Sequence, residues 1–320
     1  MGRYLVLHGP EEAEMTGEMD EDGTRLETEA ASERYRGIAT WPKGEMLAAL
    51  VEGQARALAA VSLALPEIES ALTAAIPRIE AGGRLVYVGA GTSGRLAMLD
   101  AAELFPTFGW PAERAFALLA GGPVSVGQAQ EGAEDEEAAG QDAVSAAGIT
   151  ADDVLIAIAA SGRTPFTLAA AREARKRGAL VVSLANNPGT PLLAAADHPI
   201  LLRTGAEVVA GSTRLAAGTA QKIALNTLST AVMLRLGRVY GSHMVSMRLS
   251  NRKLRARAVQ LVCDVAGVER PVAEDALARA GDDIKRAVLI ALGNSPEQSA
   301  ALLDAAGGNL ITALDQARRG

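Results

Sequence analysis

From residue 84 onward the chain alternates between two kinds of segment, and this alternation limits the folds open to it. Apolar runs at 85–89, 115–120, 154–160, 179–185 and 199–203 read as buried strands. The stretches between them at 93–104, 126–147 and 164–177 read as helices. Continuous apolar strands joined by helices imply a parallel α/β sheet covered on both faces, because each crossover helix must pack back onto the sheet. We expect a doubly wound, five-stranded sheet, and with a 2-1-3-4-5 order its first and third strands flank the switch point. Ligands of such sheets sit beyond the carboxyl ends of the strands where the order reverses, here between the first and third strands.

Both of those strands run into loops of small and hydroxylated residues. The first continues as Gly89-Ala90-Gly91-Thr92-Ser93-Gly94-Arg95 and the third as Ser161-Gly162-Arg163-Thr164-Pro165. Each loop opens a helix, whose N-terminal N–H groups attract an anion. A third such loop, Gly211-Ser212-Thr213-Arg214, opens a helical stretch over 213–238, with Glu207 just upstream. Any one of these loops alone reads as helix caps. Three together predict a small phosphorylated ligand. Gly89, Gly91 and Gly94 also fit G-x-G-x-x-G, but the second strand ends Leu118-Leu119-Ala120-Gly121-Gly122 with no carboxylate for a ribose, which disfavours a nicotinamide cofactor. The chain has no G-x-x-x-x-G-K-[ST], which disfavours a P-loop.

A chain of 320 residues has room for two domains. Residues 1–27 are acidic and read as a disordered leader. Apolar spacing over 44–80 predicts helix, broken near Pro66. Residues 276–287 resemble 302–313, each reading as helix, glycine turn, helix. We therefore divide the chain into the leader, a sheet domain over 28–260 and a small helical domain over 268–318. The net charge of −7 and 3% aromatic content speak against nucleic acid as a partner. A single cysteine, Cys263, and three scattered histidines suggest neither a disulfide nor a metal site, and Cys263 is expected to be buried. No apolar run approaches the ~20 residues of a membrane span, and no signal-like N-terminus is present, so no membrane association and a cytoplasmic location are expected. Glu103, Glu131, Glu134 and Asp135 read by spacing alone as solvated helix charges.

Longer stretches carry a resemblance. They are GRLVYVGAGTSGRLAMLDAAELFPTFG (83–109), EGAED (131–135), IAASGRTPF (158–166), AEVVAGSTRLAAGTAQK (206–222) and RLGRVYG (235–241). Over roughly 28–318 the chain resembles the N-acetylmuramic acid 6-phosphate etherases of the sugar isomerase (SIS) superfamily. Its C-terminal helical pairs are similar to that family's ubiquitin-associated-like appendage. The resemblance implies a lyase that acts on a phosphorylated amino sugar. It releases D-lactate by elimination and then adds water, with neither metal nor nicotinamide cofactor. It makes Glu103 the acid that protonates departing lactate and Glu134 the base at C2. It places the phosphate on Thr92, Ser93, Ser161, Arg163 and Thr164, with Glu207, Ser212 and Thr213 nearby.

Those roles require opposite protonation states, so Glu103 is expected in a drier pocket than Glu134. A continuous helix would carry Glu103 ~15 Å from Ser93, at 1.5 Å per residue. We therefore expect a homodimer with sites near its interface. Two positions depart from the family pattern: Ala216 stands where a lysine is usual and Ser246 where an aspartate is usual. A lost lysine–aspartate pair is one explanation and altered substrate recognition another. A phosphosugar-binding regulator and an aldose–ketose isomerase on the same fold remain the alternative functions.

Overall fold

The computed structural model describes residues 26–128, 130–249 and 251–318, so most of the expected leader lies outside the described residues. The last two residues of that leader are held by the fold. Leu26 is buried, and Glu27 pairs with Arg203.

Two helices come first, α1 (Lys43–Leu63) and α2 (Leu65–Glu80). Pro66 lies in the first turn of α2, where its missing N–H costs nothing, and the break falls at Ala64. The sheet domain follows as β1 (Leu85–Gly89), α3 (Gly91–Phe108), β2 (Ala115–Leu119), α4 (Glu137–Ala146), β3 (Val154–Ile158), α5 (Pro165–Lys176), β4 (Leu180–Ala185), α6 (Pro191–Ala195), β5 (His198–Leu201) and α7 (Ala216–Arg235). All five strands are parallel, in the order β2-β1-β3-β4-β5. The order that makes the first and third strands flank the switch point is therefore present.

Strand alternation divides the core between the two faces of the sheet. Tyr87, Ile156, Ile158, Val182 and Leu184 meet α1, α2, α3 and α7 on one face. Val86, Val88, Leu155, Ala157 and Val181 meet α4 and α5 on the other. Small residues allow close approach. A Cβ on Gly140 would lie 2.2 Å from the Phe166 carbonyl oxygen, so α4 packs directly on α5. α1 is the one described helix that is long and apolar enough to cross a membrane by length and composition, which the sequence reading does not anticipate. Its stripe Ala49, Gly53, Ala57, Ala60 and Val61 is buried, and it packs on α7.

The expected helix over 126–147 is a correction. Only Glu137–Ala146 is α-helical, preceded by short 3-10 turns at Pro123–Val126 and Ala133–Asp135. Gly132, at φ +76°, adopts a left-handed conformation that no helix interior contains. Glu134 therefore sits on a turn.

After α7 a short hairpin, β6 (Val239–Tyr240) and β7 (His243–Met244), leads to five helices: α8 (Arg252–Ala266), α9 (Arg270–Arg279), α10 (Ile284–Ala291), α11 (Pro296–Ala305) and α12 (Leu310–Ala317). The repeated glycines Gly281 and Gly307, at φ +63° and +59°, make the turns inside the two helical pairs. These helices share their own core, which begins at Val245 and Met247 and includes α8. Cys263 is half-buried at its margin rather than fully buried.

Candidate functional site

The first hydroxyl loop exists because two glycine backbones touch. A Cβ on Gly94 would lie 2.7 Å from the Gly89 carbonyl oxygen, and one on Gly89 would lie 3.0 Å from that of Ile158. Gly91, at φ +51°, turns the chain straight from β1 into α3. No side chain caps the N-terminus of α3, so its first N–H groups remain open. The second loop follows the same logic. Gly162 has φ +67°, Thr164 leads into α5 without a side-chain cap, and Pro165 begins the helix. The Arg163 N–H donates to Ser161 Oγ at 3.2 Å, which orients that hydroxyl.

β1 and β3 are paired with Gly89 opposite Ile158, so their loops emerge side by side. They bound a cavity of about 440 Å³ lined by Thr92, Ser93, Ser161, Thr164, Thr213 and Glu134. Two open helix N-termini therefore face one volume. Among the described residues no lysine or arginine lines it, so these offer an entering anion hydroxyls and backbone N–H dipoles. Ser93 is positioned by a buried chain of hydrogen bonds. Its hydroxyl donates to Gln221 Oε1 at 2.8 Å, and Gln221 Nε2 donates to Asn186 Oδ1 at 2.9 Å.

Four of the residues singled out in the sequence lie elsewhere. Ser212 and Arg163 flank lining residues without lining the cavity. Glu207 is fully buried, and its two oxygens accept from the N–H groups of Ala216 at 3.0 Å and Ala217 at 2.8 Å. It caps α7 and fixes the loop that carries Thr213. Glu103 is exposed on the continuous helix α3, outside this cavity, so its own chain does not give it the drier pocket expected.

Two further carboxylates line it: Asp135, which the sequence marks only as a solvated charge, and Glu29, which nothing in the sequence singles out. Glu29 belongs to an N-terminal segment with no periodicity to mark it. That segment is tied to the site by tertiary contacts alone. The Thr28 N–H donates to Asn187 Oδ1, Asn187 Nδ2 donates to Thr28 Oγ1, and the Gly211 N–H donates to the Thr28 carbonyl. Among the described residues, no three His, Cys, Asp or Glu side chains gather as metal ligands.

The two departures from the family pattern lie far apart. α3 and α7 run side by side in the same direction, with Thr92 beside Gly218 at one end and Asp100 bonded to Asn226 and Ser229 further along. Ala216 begins α7, whereas Ser246 packs on Gly109 beyond the far end of α3. The separation is on the order of 25 Å at helical rise. Within one chain, a pair between these two positions is excluded. Ser246 instead lines a cavity with Arg238 and Lys285.

Comparison with known proteins agrees with this architecture. Residues 130–231 match the SIS domain model, and residues 67–173 match the N-terminal SIS domain of glucokinase regulatory protein. An N-acetylmuramic acid 6-phosphate etherase of Deinococcus radiodurans is 54% identical over 88% of this chain and 93% of its own. Relatives of the same name from Streptomyces avermitilis and Rubrobacter xylanophilus are 45% and 42% identical over 92% and 94% of this chain, and 95% and 100% of their own. At 42–54% identity over most of its length and of theirs, the chain belongs to the N-acetylmuramic acid 6-phosphate etherase family.

Proposed function

We propose that the protein cleaves the D-lactyl ether of N-acetylmuramic acid 6-phosphate, giving N-acetylglucosamine 6-phosphate and D-lactate in the cytoplasm. The observation that carries this reading is the pair of uncapped helix N-termini with five hydroxyl residues around one cavity that also has a carboxylate, Glu134, in its wall. The phosphate is held by Thr92, Ser93, Ser161 and Thr164 and by the N–H groups of α3 and α5, while Thr213 closes the third side. Arg163 and Glu207 act on loop shape, through the Arg163 N–H on Ser161 and the two bonds to α7.

In the open-chain aldehyde the C1 carbonyl acidifies the C2 proton. Glu134 takes that proton as the C3–O bond breaks, and the departing lactate oxygen receives a proton from Glu103. Water then adds at C3 of the unsaturated aldehyde and gives its proton to the Glu103 carboxylate, while Glu134 returns its proton to C2, so both carboxyls are restored. Glu103 is exposed and outside the cavity of its own chain, so the acid for each cavity comes from a second copy. An exposed apolar stripe on α1, with Leu47, Val51 and Leu58 more than half exposed, supports a homodimer.

Incubation with N-acetylmuramic acid 6-phosphate and assay of D-lactate tests the activity. Glu134→Gln should abolish both lactate release and C2 proton exchange. Glu103→Gln should abolish lactate release while exchange continues. Lactate release without exchange in the latter variant reverses the two roles. An isomerase would convert the phosphosugar without lactate. A regulator would bind it, raising the melting temperature without turnover.

A further inference from the structure

A second charged cleft lies at the opposite end of the sheet. Trp110 and Arg114 precede β2, whereas the hydroxyl loops follow β1 and β3, so a strand length of ~13–17 Å separates the two regions. Here the sheet domain meets the C-terminal helices. A cavity of about 380 Å³ is lined by Trp110, Arg114, Arg235 and Arg238 on one side and by Asn309 and Thr312 on the other. A neighbouring cavity of about 360 Å³ shares Arg238 and adds Ser246 and Lys285.

The cations in this cleft lack counterions. Among the described residues, Arg114, Arg235, Arg238 and Lys285 form no ion pair. Glu80, Asp282 and Asp283 line these cavities, but Asp282 pairs with Arg255, Asp283 caps α10 while facing Lys285, and neither Glu80 nor Glu113, which faces Arg114, bridges to a cation. The Arg114 and Arg238 guanidiniums lie over the Trp110 ring at 4.3 and 5.2 Å from its centroid, so both charges are held against one indole. Burial lowers the affinity of Arg238 for its proton, and the charge of Arg114 adds to this. Lys285 is lowered in the same way by burial and then by Arg238. Two polar atoms here, Arg114 Nε and Ser246 Oγ, are buried without a partner. Arg114 Nη2 donates to the carbonyls of Ile79 and Gly83 and Lys285 Nζ to that of Gly308, but these acceptors are neutral, and crowded cations are costly unless an anion joins them.

We infer that the cleft between the sheet domain and the C-terminal helices binds a phosphate-bearing anion through Arg114, Arg238 and Lys285, at a site separate from the hydroxyl-loop cavity. Because Arg238 belongs to one domain and Lys285 to the other, the bound anion bridges the two. This inference does not rest on the etherase chemistry.

Trp110 is a local reporter. Trp41→Phe leaves it as the only tryptophan. In that background, its emission is followed while potassium phosphate or a hexose 6-phosphate is added, with potassium chloride at matched ionic strength as reference. The expected result is saturable change with the phosphates and none with chloride, and the tighter of the two probes tells free phosphate from a phosphorylated metabolite. Saturation should survive Ser161→Ala, which perturbs only the hydroxyl-loop cavity. It should weaken about tenfold or more in Lys285→Gln, the loss expected for one charge-assisted contact. Ser246→Asp, which supplies an internal carboxylate, should abolish it, with circular dichroism confirming that both variants fold. A response equal to that of chloride, one lost in Ser161→Ala, or one unchanged in Lys285→Gln and Ser246→Asp overturns the inference.

Discussion

Gly94 shows how little freedom the turn proposed to hold phosphate leaves to its residues. Its missing side chain lets α3 start directly against β1, and nothing larger fits between Gly94 and the Gly89 carbonyl. Gly94→Ala should cost about 1–3 kcal/mol, the range for overpacking a close contact, and should raise KM because the N–H groups of α3 move away from the cavity. Urea denaturation and steady-state kinetics check the two effects. Glu207 illustrates the reverse situation, a charged residue that holds structure rather than ligand. Its bonds to Ala216 and Ala217 are charge-assisted and buried. Glu207→Gln keeps the shape but can accept through only one oxygen, so a loss of about 1–2 kcal/mol is expected by the same denaturation measurement.

At the scale of elements, Asp153 ties the start of β3 to the start of β1. Its side chain is almost fully buried and accepts from Arg84 Nε at 2.9 Å and Nη2 at 2.6 Å, from the Arg84 N–H at 3.0 Å and from the Thr150 N–H at 2.9 Å. Burial alone would raise its pKa, but the Arg84 guanidinium and these N–H groups outweigh burial and hold it below the usual carboxylate value. A carboxyl lowered in the folded state stabilises fully above its unfolded pKa of about 3.9, and that stability is lost as pH falls through the lower folded value. Asp153→Asn should cost about 3 kcal/mol at neutral pH. It should also flatten the fall of melting temperature between about pH 5 and about pH 3, and thermal melts across that range check both. Element packing also explains why Glu134 reaches the cavity. The left-handed Gly132 ends any helix before it, and the turn over Ala133–Asp135 packs against α5.

For the whole molecule, the proposed exchange of Glu103 between copies makes a direct prediction. Glu103→Gln and Glu134→Gln should each be inactive alone, but mixing them under conditions that exchange subunits should restore part of the lactate release. Each mixed dimer then has one cavity with both carboxyls intact. Absence of recovery, with exchange verified by mass spectrometry, would place both carboxyls in one chain. Light scattering checks the dimer itself. The α1 substitution Val51→Glu, on a side chain 73% exposed, should give monomers that remain folded.

Periodicity in the sequence was enough to determine a parallel sheet between helices, and a 2-1-3-4-5 order then makes the two hydroxyl loops neighbours. Apolar runs of five or six residues joined by helices admit few parallel arrangements, and the switch point follows from the order. The same local signals could not tell a cap from a ligand contact. Glu207 and Thr213 come from one loop region, yet one is buried under α7 and the other lines the cavity. Nor could they reveal Glu29, whose position depends on hydrogen bonds to Asn187 and Gly211, more than a hundred residues away. Only tertiary structure decided that Ala216 and Ser246 lie at opposite ends of parallel helices, and that Arg114, Arg238 and Lys285 converge on one cleft. Local sequence encodes backbone preference and which side of an element is apolar. Which side chains meet across a domain boundary depends on how whole elements pack, and no short window of the chain contains that information.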